Sequence, residues 1–318
     1  MLTVHPPHPA GQAAPHPKAI WIDLVSPDEG EQALVRELTG LELPTREALA
    51  SLEQSSRLAF DHDCLVLAAP VIAEADTDHP SLSQVGLILT PSLLVSVRFG
   101  GLKMFEAVAA KCEASSPASS VAVFTALMEA YVGRLADLLE AARAQLDQVS
   151  HRVFRKSATS PRRAMQTSTA MRERLQFLGR TGERISLIRE SLLGVERLIG
   201  FCLEQAKPWF TPDLASRLAT ARIDIEELDQ FDEHLLGKVQ FLLDAVLGFI
   251  SIEQNDIFKV LTIASVVGIF PTLVAGWYGM NFQNMPEYHW AWGYQFGIGV
   301  IIASTVLPLA WFKWRGWI

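Results

Sequence analysis

The sequence predicts an α/β domain, a long helical stalk and two transmembrane helices that close the chain. Three observations carry this reading. Short β-branched and leucine-rich runs, separated by turn residues, occupy the early part of the chain. Apolar residues at three- and four-residue spacing fill the middle. Two runs without a charge stand at the C-terminal end: residues 260–277 read VLTIASVVGIFPTLVAGW, and residues 291–312 read AWGYQFGIGVIIASTVLPLAWF.

Residues 1–18 are rich in Pro, His and Ala, with neither a basic region nor an apolar core, which predicts a disordered leader rather than a signal peptide. His5, His8 and His16 are irregularly spaced there and read as incidental. Residues 19–112 form the predicted cytoplasmic α/β domain. The run AIWIDL at 19–24 reads as a strand, followed by a helix start with Ser26 as N-cap and Pro27 at the first helical position. Residues 44–47 open a second short helix in the same manner, and 65–72, 84–89 and 93–98 read as strands between turn residues. Asp61, His62 and Asp63 are consecutive and point in different directions, so they read as a solvated turn and not a ligand set. There is no glycine-rich phosphate loop, nucleophile elbow or HExxH, and no enzymatic activity is expected.

A Ser-rich linker at 115–120 leads to the helical stalk region, residues 118–256. Phe124, Leu127, Met128, Tyr131, Leu135, Leu138 and Leu139 recur at helical spacing. The tract SATSP at 157–161 breaks the pattern, a second helix runs from about 163 to 207, and PWFTP at 208–212 ends it. The last helix begins near Asp213 and meets no breaker before Pro271, which predicts that it runs into the membrane. Some 60 residues at 1.5 Å each make about 90 Å, a length that calls for coiled-coil-like association of copies.

The first span, residues 257–278, and the second, residues 291–312, each approach the roughly 20 residues that cross a bilayer core. Trp and Tyr flank both as an interfacial belt. The intervening segment, residues 279–290, has no Lys or Arg, whereas Lys259, Lys313 and Arg315 lie at the opposite ends of the spans. Basic flanks mark the cytoplasmic side, so the loop is periplasmic and both termini, including the tail 313–318, are cytoplasmic. A multi-pass protein of the bacterial inner membrane follows.

Composition agrees. The 318 residues are 49% hydrophobic and 19% charged, and 27 Lys and Arg against 35 Asp and Glu leave a net charge of -8. This excludes a nucleic-acid binder, which needs a basic face. Cys64, Cys112 and Cys202 lie far apart, which excludes a disulfide framework or a thiolate zinc site. Between positions 213 and 256 six Asp and four Glu face Arg217, Arg222 and Lys238, a net -7. That stretch is either an ordinary solvated helix face or an acidic stalk that concentrates cations at a pore entrance. The first span carries Asn255, Thr262 or Leu261, Ser265, Ile269, Thr272 and Gly276 at three- and four-residue spacing. Such a stripe serves stacked rings in a symmetric oligomer or close helix packing without a pore. With no charge inside the membrane, a divalent ion would cross while keeping much of its water, because Mg²⁺ dehydrates reluctantly.

The first span ends in Tyr278-Gly279-Met280-Asn281, followed by Phe282-Gln283-Asn284 and then Met285-Pro286-Glu287. Here the chain closely resembles the CorA-type magnesium and cobalt transporter family. The FISIEQN tract at 249–255, the PTLVA tract at 271–275, the basic aromatic end at 312–318 and WIDL at 21–24 belong to the same resemblance. It implies a funnel-shaped homopentamer whose first spans line a central pore. By position, Gly279, Met280 and Asn281 would form the outer mouth, with Asn281 binding hydrated Mg²⁺, and Met285, Pro286 and Glu287 would belong to the loop. Asn255 and Thr272 would make polar rings, Phe258, Leu261 and Ile269 hydrophobic collars, and Ser265 and Gly276 further pore lining. Asp244 would form an acidic ring and, with Asp224, a candidate regulatory metal site. The implied activity is import of Mg²⁺, with Co²⁺ and Ni²⁺, closed by cytoplasmic Mg²⁺; no organic cofactor is implied. The partners are other copies, the bilayer and the cations. Two other readings stand beside it: the zinc-transporting branch of the same superfamily, whose loops commonly lack Met-Pro-Glu, and a membrane-anchored scaffold or sensor. Two departures are visible. Phe270-Pro271 replaces the two prolines of many relatives, and Arg222 interrupts the segment 220–224 where some carry an Asp-rich patch.

Overall fold

The computed structural model describes residues 1–5, 19–50, 58–61, 63–75, 77, 80–114, 117–154, 164–280 and 285–317. Among these residues six strands make one sheet: β1 (Leu2–His5), β2 (Trp21–Val25), β3 (Leu58–Asp61), β4 (Cys64–Ala73), β5 (Ser81–Leu89) and β6 (Leu94–Arg98), in the order β1-β2-β6-β5-β4-β3. β2 and β6 pair in parallel; the other neighbours are antiparallel. The sheet is flanked by α1 (Glu29–Thr39), α2 (Arg46–Ala50) and α3 (Lys103–Ala114). Three long helices follow, α4 (Ser120–Phe154), α5 (Ala164–Gln205) and α6 (Pro212–Tyr278), and α7 (Gly293–Trp314) is the last.

The central strands have no solvent face. Ile22, Leu24, Ile88, Val95 and Val97 pack with Val35 of α1 and Leu43 on one side. On the other side Trp21, Asp23, Ser96 and Arg98 are buried together beneath α3. The polar groups there are mutually satisfied. The Trp21 indole N–H donates to Ser96 Oγ at 2.9 Å, and the Ser96 hydroxyl donates to Asp23 at 2.6 Å. Arg98 donates to the same carboxylate through Nε at 3.1 Å and Nη2 at 2.8 Å, and lies over the Phe105 ring at 4.9 Å. A buried charge pair is tolerated only with this degree of completion.

Two sequence expectations change here. Leu2–His5, assigned to the leader, form an edge strand whose partner is β2 and whose His5 ring stacks on Trp21 at 4.7 Å. Leu2 and Val4 alternate with polar neighbours, and pairing satisfies the backbone of four residues that composition alone places in a tail. His8 and His16 lie outside the described residues. Desolvation lowers the His5 pKa although Glu113 and Asp23 pull it up. Second, α1 is capped by Asp28, not Ser26. Asp28 accepts from the Glu31 N–H and Glu31 reaches back to the Asp28 N–H, while Ser26 takes a left-handed φ of 45°. Ser26 also has a Glu three residues on, but its left-handed backbone is not that of an N-cap, whereas Asp28 is extended as a cap requires. Asp61 pairs with Cys64 across a turn in which Asp63 has a φ of 60°; His62 lies outside the described residues.

By its contacts the chain divides into two compact units. One gathers the sheet, α1 to α4, most of α5 and α6 as far as Leu243; the other holds the start of α5 and everything from Asp244 onward. In the first unit α5 presses on the sheet at Gly194, where an added Cβ would lie 2.4 Å from Pro70 Cδ. The Tyr131 hydroxyl accepts from the Ile72 N–H at 3.0 Å, tying α4 to β4, and burial pushes its pKa up. Arg217 and Glu129 form a two-pronged pair between α6 and α4, and Lys238 bonds Asp147, which lowers that carboxylate's pKa.

In the second unit, two stretches are long and apolar enough to cross a membrane, one in α6 and one in α7. Only 0% and 6% of these windows are buried by the protein itself, which separates them from core helices of a soluble domain.

Candidate functional site: the first span and its loop

α6 stays helical through Pro271 and stops at Tyr278. Around its apolar stretch runs a shallow groove floored by small side chains, in which Ser265, Gly268, Thr272 and Gly276 lie beside Ile269 and Met280. Helical periodicity explains the arrangement, because residues three and four apart share a face. The structure therefore brings Ser265, Ile269, Thr272, Gly276 and Met280 onto one continuous surface. Asn255, Phe258 and Leu261 lie nearer the cytoplasmic end of the helix, all exposed, with Phe258 65% and Leu261 60% accessible.

The hydroxyls on this helix are oriented by its own backbone. Thr272 donates to the Gly268 carbonyl at 2.7 Å and Thr262 to the Phe258 carbonyl at 2.8 Å. Each proton is thus spent, and the oxygen meets any further partner as an acceptor, the polarity suited to water held by a cation. At the cytoplasmic end of the stretch Lys259 bonds Asp256 at 2.7 Å, so the cation at that end is matched by an anion one turn away.

The loop begins where the helix ends. The Gly279 N–H donates to the Ala275 carbonyl at 2.9 Å, and a Cβ on Gly279 would press to 3.2 Å from that oxygen. The Met280 N–H donates to the Trp277 carbonyl, tightening the last turn. Asn281 lies outside the described residues. Met285 precedes a single 3-10 turn over Pro286–His289, with the proline at a first position where a missing N–H costs nothing. The Trp290 N–H returns to the Glu287 carbonyl at 3.3 Å.

Gly293, which the sequence reading did not single out, fixes the other end of this loop. A Cβ there would stand 2.1 Å from the Glu287 carbonyl oxygen, so the loop backbone can rest on the head of α7 only if this residue is glycine. Its signal in the sequence is a glycine at the third position of the apolar run 291–312, which reads equally well as an ordinary helix start. Trp290 meets Phe296 edge-on, while Trp292 and Tyr294 are strongly exposed beside them. At the far end α7 closes with Gly316 at φ 71°, whose N–H and that of Trp317 return to Lys313 and Phe312, and the Trp317 ring stacks on Phe312. Aromatic groups therefore stand at both ends of the span.

On the stalk, Asp224 is exposed and its neighbour Arg222 lies 3.8 Å from Glu226, one turn along the same face. Asp224 and Asp244 stand more than five turns apart along α6, so one chain does not present both to one ion. Among the described residues no three His, Cys, Asp or Glu side chains come together as a ligand set.

Comparison with known proteins agrees with this architecture. The family model for CorA-like Mg2+ transporter proteins matches residues 17–314. The magnesium transport protein CorA of Escherichia coli K12 is 32% identical over 310 residues, covering 96% of this chain and 94% of its own. That of Haemophilus influenzae is 31% identical over 303 residues, covering 94% and 92%. The solved CorA magnesium transporter of Methanocaldococcus jannaschii superposes with a TM-score of 0.75 at 16% identity, over 94% of this chain and 91% of that one. With two exposed apolar helices of membrane length in a matching fold, the chain is a multi-pass membrane protein. It belongs to the family of CorA-like Mg²⁺ transporter proteins.

Proposed function

We propose that the chain is the subunit of a homopentameric channel that imports hydrated Mg²⁺, and also Co²⁺ and Ni²⁺, across the bacterial inner membrane. The observation that carries this reading is the small-residue groove on the first span, an uncharged surface with oriented hydroxyl oxygens that the chain leaves uncovered. Five copies placed around it stack Asn255 and Thr272 as polar rings, Phe258, Leu261 and Ile269 as collars, and Ser265 and Gly276 as narrow lining. Family membership and the M. jannaschii likeness support that assembly. No carboxylate enters the membrane stretch, so the ion keeps its inner water shell, and selection falls to hydrogen bonds with that water. Gly279 and Met280 shape the turn at the outer mouth, and the Asn281 side-chain carbonyls receive the hydrated ion. Met285, Pro286 and Glu287 hold the loop between the spans. Both termini face the cytoplasm, where the acidic stretch of α6 concentrates the cation, and cytoplasmic Mg²⁺ at separate sites, one at Asp244 and one at Asp224, each between subunits, closes the path. No covalent step is involved.

The test is flux in liposomes reconstituted with the purified protein. Asn281→Ala abolishes Mg²⁺ uptake while leaving the assembled oligomer intact on size-exclusion chromatography. Undiminished uptake by the variant overturns the role of Asn281. Competition among Mg²⁺, Co²⁺ and Zn²⁺ in the same vesicles ranks the substrates, and a preference for Zn²⁺ overturns the choice of Mg²⁺.

A further inference from the structure

The helical seam of the first unit contains a carboxylate that the transport reading does not use. Leu214, Leu218, Ala221, Ile225, Leu235, Val239 and Leu242 are the buried stripe of α6, and Asp232 occupies one place in that stripe. It is fully buried, and neither of its carboxylate oxygens has a hydrogen-bond partner. This departs from the rule that buried charge is paired, and from three other acids of the unit. Asp23 is completed by Arg98 and Ser96, Asp147 by Lys238, and Glu129 by Arg217.

The charged groups around Asp232 do not relieve it. From α5, Arg189 lies near enough to be felt, but its ion pair is with Asp229, whose Oδ1 stands 3.2 Å from the Arg189 Nε without accepting a hydrogen bond. From α6 itself, Asp229 adds a second negative charge on the same side. From α4, Arg143 lies over the neighbouring Phe231 ring at 5.9 Å and turns to Asp147, whose other oxygen is taken by Lys238. Desolvation is the largest influence and, with Asp229, outweighs the pull of Arg189, raising the pKa to about 7.

We propose that Asp232 is a proton-binding latch: as the neutral acid it lets α6 close on α5, and as the carboxylate it drives that seam open. The chemistry is that of an isolated acid in an apolar helix interface, where ionisation without a partner is resolved by letting water in. The direction follows from linkage. A group whose folded pKa lies above its unfolded value binds more protons in the closed seam than in the open one, so closure is fully favoured only at low pH. The opening constant therefore rises about tenfold per pH unit between the ordinary carboxylate range and neutrality, then levels off.

Hydrogen exchange of the full-length protein in detergent, corrected for the intrinsic pH dependence of exchange, reads this in the α6 backbone over residues 225–239. In the wild type, protection falls about tenfold per unit from pH 5 to pH 7 and flattens above. Asp232→Asn removes the dependence, and Asp229→Asn, which removes only the neighbouring charge, retains it with its plateau moved to lower pH. A wild-type slope that survives in Asp232→Asn overturns the proposal. Infrared difference spectra of the wild type, with isotope-labelled aspartate, supply a readout that needs no variant. A protonated carboxyl band at pH 5.5 that disappears toward pH 8.5 supports the latch, and its absence at pH 5.5 overturns it. Neither measurement involves ion flux, so the outcome is separate from that of the proposed transport function.

Discussion

Gly293 and Asp23 show what single positions carry. At Gly293 the Glu287 carbonyl already occupies the space of a Cβ, and the loop must leave the head of α7 if one is added. Gly293→Ala is therefore expected to lower Mg²⁺ uptake at least tenfold, through displacement of the Met285–Glu287 segment. Gly297→Ala, at a site where a Cβ meets nothing, leaves flux unchanged in the same vesicles. Asp23 is a different case, since its worth lies in Arg98. Removing one partner of a buried pair leaves an uncompensated charge, which costs about 3–5 kcal/mol. Asp23→Asn should accordingly lower the thermal unfolding midpoint measured by tryptophan fluorescence, with Trp21 reporting the loss directly. WIDL at 21–24 was readable as a strand, but the pair was not, because Arg98 lies 75 residues away and only the parallel register of β2 and β6 brings them together.

At the scale of elements, the long helices were readable and several short elements were not. The three long helices follow from periodicity and from breakers at 157–161 and 208–212, and α6 runs unbroken as expected because it contains no interior proline before Pro271. β1 was missed because four residues carry too little pattern to outweigh the proline-rich composition that follows. β3 and α3 were missed for related reasons, one being four residues long and the other only twelve, with a buried stripe of just Phe105, Val108 and Cys112. Packing of α5 on β4 rests on Gly194 against Pro70, a contact with no sequence signature. Gly194→Leu should detach α5 from the sheet and raise hydrogen exchange at Ile72, whose N–H is held by Tyr131, while leaving exchange in α7 unaltered.

For the whole molecule, the net -8 and the mean hydropathy of +0.21 separate into different parts of the chain. The hydropathy comes from two exposed apolar stretches in α6 and α7, and nearly all the charge from the part of α6 that precedes the first of them. The membrane stretches were legible because a bilayer imposes a fixed length, whereas assembly is written in surfaces that one chain leaves uncovered. Native mass spectrometry in detergent should give five copies, and a different stoichiometry would remove the basis for the stacked rings. How such an assembly moves depends on Pro271. It has no N–H to offer the Val267 carbonyl, and the Thr272 hydroxyl leans on the Gly268 carbonyl beside it, so one rung of the backbone ladder is missing and the next is shared. A rod is most compliant where its rungs are fewest. Flexing of the first span therefore concentrates at a single joint, two turns below Gly279, and the segments on either side of it turn as stiff levers.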